Sequence, residues 1–172
     1  DHETGANTRV ACVSSLFGPP NDAVNTAILG TLEKYLDDYR PHLRTFKEDD
    51  TGKPRSFGDR ERDYARRRLS KPGRSLFVHA TGSASLTRAD SWQTFAHFVR
   101  EDDGLSGIEW AVPVDTPPDT MRETFLRAAG DARYLHGNAG YGIVLPIDRV
   151  SRQAEGSTSI ALASRFAGLD VV

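Results

Sequence analysis

Three histidines lie where a folded chain could use them for acid–base chemistry or metal binding. His79, His97 and His136 fall inside predicted strands or helices, and the chain carries 24 acidic residues. None of the histidines has the HExxH or HxH spacing that holds a metal ion on one element. A site assembled in space from these histidines and nearby carboxylates would make the protein a small hydrolase or a metal-assisted enzyme. That alternative stays open, although core and surface histidines without a catalytic role occupy the same kinds of position.

The serine, cysteine and lysine residues of the chain do not occur in known catalytic motifs. The chain contains neither the GxSxG nucleophile elbow nor the GKS or GKT end of a phosphate-binding loop. Its single cysteine, Cys12, falls in a predicted buried strand, where a thiol usually behaves as a small hydrophobic group. One thiol cannot build an intramolecular disulfide or a multi-thiolate zinc site. The sequence therefore contains none of these catalytic motifs, and it predicts no cofactor and no metal ion.

Glycines cluster at 137–142, but they do not follow the GxGxxG order of a dinucleotide-binding loop. An apolar run and a proline come next, which predicts a strand where a phosphate site would need the start of a helix. We therefore predict structural roles for Gly137 and Gly140, at a turn or where two strands approach too closely for side chains.

Charge is separated along the chain. Between Lys53 and Arg74 nine lysines or arginines accompany three acids, whereas between Glu101 and Glu123 seven acids accompany one arginine. Solvated loops that partly neutralise one another would explain this pattern. A charged docking surface is the functional interpretation, because matched potentials raise association rates and select partners. The basic stretch could instead contact RNA, although only Phe57 and Tyr64 are available there for base stacking.

Composition limits the class of protein. The chain has 172 residues, 38% of them hydrophobic and 27% charged, with a formal net charge of -2. This suits one folded domain, and no apolar run is long enough for a transmembrane helix. The net charge gives no support for membrane binding and makes nucleic-acid binding an unlikely function. No secretory signal is visible, and a single buried-looking thiol favours the cytoplasm, with the periplasm left open.

Strands and helices alternate in the hydrophobic pattern, which predicts an α+β fold with a mainly antiparallel sheet. The clearest helix follows Asn21, a good N-cap, and ends before Pro41. Further helices are predicted at 60–68, 90–100 and 157–166 and from Pro117 onward. Strands are predicted at 9–17, 43–46, 74–80, 107–112 and 134–145. Residues 1–8 are expected to be a loose tail and 47–73 a charged excursion of a single domain, 1–172.

Three segments resemble a bacterial family of type VI secretion immunity proteins. They are the first strand and helix, RVACVSSLF followed by LEKYL, then LHGNAGYG at 135–142, and SRFAGLDV at 164–171. The second is similar to the family's His-Gly-x-Ala-Gly-aromatic stretch, and the third to its aromatic-x-Gly-Leu-Asp segment. Family members are generally longer, so the resemblance implies that this chain lacks a C-terminal part, in agreement with its apolar end.

The resemblance implies a binding protein rather than an enzyme. An immunity protein binds a cognate secreted toxin and blocks its activity. The sequence does not name the toxin, but a basic partner such as a nuclease would suit the acidic stretch. Such work needs a rigid scaffold and a partner-specific surface. We expect that surface in the acidic stretch, with Trp110 as an aromatic anchor. Its charged members are Glu101, Asp102, Asp103, Asp115 and Asp119. A homodimer is also compatible with an exposed sheet edge.

Overall fold

The computed structural model describes residues 8–48, 52–71, 73–100, 104–130, 132–153 and 169–171. Over these residues eight strands form one sheet in the order β3-β2-β4-β5-β6-β1-β7-β8. Each neighbouring pair is antiparallel except β7 and β8, which run parallel. The α+β fold with a mainly antiparallel sheet is thus confirmed. The strands are β1 (Arg9–Gly18), β2 (Thr45–Glu48), β3 (Arg55–Ser56), β4 (Leu76–Thr81), β5 (Gln93–Phe98), β6 (Ser106–Pro113), β7 (His136–Val144) and β8 (Leu169–Val171).

The helices α1 (Asp22–Asp38), α2 (Asp59–Arg62), α3 (Tyr64–Leu69) and α4 (Pro118–Gly130) accompany the sheet, with a 3-10 turn at Arg40–His42. Residues 149–153 are also helical. The predicted N-cap of α1 is confirmed, since the Val24 amide donates to the Asn21 side chain at 2.9 Å. This bond satisfies one of the amides that a helix start leaves open. The apolar stripe of α1 is buried over β5 and β6.

The core lies between the helices and one face of the sheet. Alternate residues of β1, β4, β5 and β6 enter it, among them Leu16 of β1, Phe98 of β5 and Ile108 of β6, all at most 1% exposed. On the opposite face Arg152, from the helical segment 149–153, shares a small cleft with His79 and Glu109. At one end of that face Ala11, Val13, Ala89, Ala111 and Val144 form a second, smaller cluster.

The predicted helix at 90–100 is wrong, because residues Gln93–Phe98 form strand β5. Trp92, Phe95, Ala96 and Val99 have helical spacing, but burial alternates strictly along the segment. Thr94, Ala96 and Phe98 enter the core, while the residues between them face the other way. Pairing with β4 on one side and β6 on the other satisfies the backbone and outweighs the weak helical pattern.

The segment predicted as one helix at 60–68 forms two short helices, α2 and α3, interrupted at Asp63. The predicted helix at 157–166 lies outside the described residues. Within the described residues, no helix combines the length and the apolar character needed to cross a membrane.

Candidate partner-binding surfaces

The three predicted histidines lie on the face of the sheet opposite α1 and α4, where they alternate with phenylalanines in a strip of rings that we call the aromatic strip. Ring centroids are 4.5 Å apart for His79 and Phe95, 5.3 Å for Phe95 and His97, and 5.9 Å for His97 and Phe17. His136 continues the strip at 6.4 Å from Phe17. The structure therefore brings these histidines onto one surface, but with phenylalanine rings between them.

A glycine allows the strip to cross β6. In the sheet Gly107 is the cross-strand partner of Phe17 on β1 and of His97 on β5, and the rings of these two residues lie over it. A Cβ at this position would lie 2.7 Å from Phe17 Cε1 and 3.0 Å from His97 Cε1. Any side chain here would push the rings apart. The strip is thus a packing arrangement in which glycine leaves room for aromatic neighbours.

The strip does not form a catalytic pair. Burial lowers the pKa of His97, and burial together with Lys47 and Arg152 lowers the pKa of His79 to about 3. Glu109 shares a small cleft with His79, and burial raises its pKa. No hydrogen bond or ion pair joins Glu109 to His79. Both groups are shifted toward their neutral forms, and no cluster of three metal-ligating side chains occurs in the described residues.

The lowered pKa of His79 predicts a pH-dependent stability. The folded chain keeps this imidazole neutral down to about pH 3, whereas the unfolded chain protonates near 6.5. Below 6.5 the unfolded state therefore binds a proton that the folded state does not, and the free energy of unfolding falls as the pH falls toward 3. Urea unfolding at about pH 7 and about pH 5 should show a smaller loss of stability for His79→Gln than for the wild type. Equal losses would contradict this assignment.

Part of the basic stretch forms ion pairs within the fold. Arg66 makes two hydrogen bonds to the carboxylate of Glu33 on α1, the longer of them 2.7 Å, and Arg62 donates to Asp37 at 2.9 Å. Arg100 donates to backbone carbonyls at the end of α3, including that of Leu69 at 2.9 Å. These arginines therefore attach α2 and α3 to the rest of the domain. Glu33 is 7% exposed, so its guanidinium partner compensates a buried charge.

Of the five acidic residues predicted to contact a partner, the structure describes two. Asp115 follows the end of β6, and Asp119 lies in the first turn of α4; both are exposed. Glu101, Asp102 and Asp103 lie outside the described residues.

Trp110 is not an exposed anchor. Its side chain is 6% exposed, on the helix-covered side of β6, with its ring 6.4 Å from that of Phe125 on α4. It forms part of the wall of a cleft between α1 and α4. An aromatic anchor must reach the partner, so the structure places Trp110 with the core instead.

The two glycines predicted to be structural differ in their surroundings. A Cβ on Gly137 would lie 2.7 Å from Leu16 Cδ2 and 3.3 Å from the Ser15 carbonyl oxygen, which agrees with a close strand crossing. At Gly140 no atom lies within 4 Å of that position, and no close approach explains the glycine.

Comparison with known proteins shows a shared fold and a family. The solved structure of the Pseudomonas aeruginosa T6SS protein PA0821 is similar, with a TM-score of 0.77 at 18% sequence identity, over 95% of this chain and 48% of that one. This chain thus spans about half the length of that protein, and the likeness shows a shared fold. No curated protein has a matching sequence. The family described as TsiV, type VI immunity for VRR-NUC, matches residues 27–172. Because this match extends over most of the sequence, the chain belongs to that family of type VI immunity proteins.

Proposed function

We propose that this protein protects its producer by binding and neutralising a cognate toxin that carries a VRR-NUC nuclease domain. The family match over residues 27–172 is the observation that supports this function. Neutralisation by binding needs a rigid scaffold and no catalytic group, so we propose that the chain is not an enzyme. His79, which burial keeps neutral, is separated from His97 by the ring of Phe95, and this arrangement agrees with that proposal.

The acidic residues are our proposed contact surface. A nuclease must hold a polyanionic substrate, so it presents lysines and arginines around its nucleic-acid site. Exposed carboxylates on an immunity protein would be attracted to the same groups. Asp115 and Asp119 are the described members of this surface, and Glu101, Asp102 and Asp103 complete it in the proposal.

A nuclease toxin also suggests where protection takes place. Its substrate, nucleic acid, is inside the cell, so the toxin must be bound in the cytoplasm. We therefore propose a cytoplasmic immunity protein. The homodimer expected from a free sheet edge stays a prediction.

Affinity capture of the tagged full-length protein from its native host, with mass spectrometry of what co-purifies, tests this function. The expected result is one dominant protein with a VRR-NUC domain, retained through moderate salt. Co-expression should then restore growth to cells that make this toxin. Recovery of RNA alone, or a toxin that kills despite the immunity protein, would reject the proposal.

A further inference from the structure

Three arginines line an open cleft at one end of the sheet, which we call the arginine cleft. Arg9 begins β1, Arg44 precedes β2, and Arg88 lies in the connection between β4 and β5. Strand register explains why they meet. Thr81, the last residue of β4, pairs with the first residues of both β2 and β5, so these segments share one end of the sheet.

The charge of the arginine cleft is not compensated within the described part of the chain. Arg9, Arg44 and Arg88 are all exposed, and none forms an ion pair with a described residue. The cleft contains one carboxylate, Asp90, which accepts a hydrogen bond from the backbone N–H of Trp92 at 2.9 Å. This differs from the basic stretch, where Arg62 and Arg66 are bound to acids of α1.

Local hydrogen bonds hold the wall of the cleft in place. Thr45 Oγ1 donates to the Ser83 carbonyl at 2.7 Å, and Ser83 Oγ donates to the Ser85 carbonyl at 2.7 Å. The rings of His42 and Trp92 are stacked, 4.4 Å apart at 9°. The arginines are thus mounted around a turn with fixed internal contacts.

We propose that the arginine cleft receives carboxylate side chains from an acidic segment of the toxin; this inference rests on the proposed function. A guanidinium donates two parallel hydrogen bonds to a carboxylate, and such pairs gain strength when a partner excludes water. The cleft is wide and open, so a small free anion would remain largely in water there. A protruding protein segment would fill it and shield the pairs.

The position of Asp115 gives this surface a second charge. Pro113, near the end of β6, is paired with Ala11 of β1, so Asp115 and Arg9 lie toward the same end of the sheet. The contact surface therefore presents arginines beside an aspartate. A partner with carboxylates next to basic groups would match this surface. A uniformly acidic partner would be repelled by Asp115, and a uniformly basic partner by the arginines.

Charge variants of the arginine cleft test the inference against the captured toxin. Arg44→Glu/Arg88→Glu should weaken toxin binding at least about tenfold, mainly through faster dissociation, and Arg44→Gln/Arg88→Gln should weaken it less. The matched control is Arg60→Gln/Arg74→Gln, which removes the same charge from exposed arginines outside the cleft. Unchanged affinity of the cleft variants would overturn the inference and leave the proposed function intact. Failure of the wild-type protein to bind the toxin would reject both.

A second measurement separates protein carboxylates from phosphate. A hexa-aspartate peptide and inorganic phosphate are titrated at low salt, with Trp92 fluorescence as the signal because its indole lines the cleft. The expected result is saturable peptide binding that Arg44→Gln/Arg88→Gln abolishes and the control pair retains. Tighter binding of phosphate than of the peptide, or no cleft-dependent binding of either, would overturn the proposal.

Discussion

Replacing Trp110 with alanine is expected to lower the free energy of unfolding by about 3–5 kcal/mol. The side chain is 6% exposed and lies in the core layer between β6 and the helices. Its removal would leave a cavity beside Phe125 that the surrounding sheet cannot fill by collapsing. Denaturant unfolding followed by circular dichroism measures the loss, because it does not depend on tryptophan fluorescence.

Trp110→Phe is the control for this prediction. It keeps an aromatic group in the core, so it should cost much less stability and leave toxin affinity unchanged. Trp92→Ala offers a second comparison. Because Trp92 is only half-buried at the arginine cleft, this variant should lose less stability than Trp110→Ala. A Trp110→Ala protein with nearly wild-type stability but lost toxin binding would contradict the core assignment and restore Trp110 as an anchor.

Reversing the charge of Asp115 and Asp119 together is expected to weaken toxin binding about ten- to hundredfold without unfolding the domain. Both carboxylates are exposed, and the proposed partner presents basic groups that bind nucleic acid. Most of the loss should appear in the association rate and should shrink as salt rises, because exposed charges are screened. Surface plasmon resonance at two salt concentrations measures the rates.

The double substitution Asp22→Lys/Asp59→Lys is the matched control. Both residues are exposed and, like Asp119, lie in the first turn of a helix, so the control reproduces the helix-dipole cost. It should leave toxin affinity near the wild-type value. Equal affinities for the two double variants would remove Asp115 and Asp119 from the contact surface.

Helices and strands with clear caps or clear hydrophobic patterns could be predicted from the sequence. Helix α1 has an N-cap at Asn21, apolar residues at helical spacing and Pro41 beyond its end, and these features act within one stretch of chain. Strand β1, with apolar residues on both faces, is buried on both sides of the sheet. Short motifs such as LHGNAGYG were enough to indicate the family, and the match over residues 27–172 confirms it.

Other features depended on groups far apart in sequence. Segment 93–98 has residues at helical spacing, and only pairing with β4 and β6 made it a strand. The sequence predicted Trp110 as a contact for a partner, but its ring packs beside Phe125 of α4. Two arginines of the basic stretch, Arg62 and Arg66, pair with acids of α1 rather than with the acidic stretch.

The arginine cleft could not be predicted from local sequence patterns. Arg9, Arg44 and Arg88 share no motif and are separated by more than thirty residues at each step along the chain. Backbone hydrogen bonding between β4 and its two neighbours fixes which loops share an end of the sheet. Local propensity therefore determined the helices with clear caps and periodicity. Strand register, which is set by pairing across the whole chain, decided which charged side chains meet at the surface.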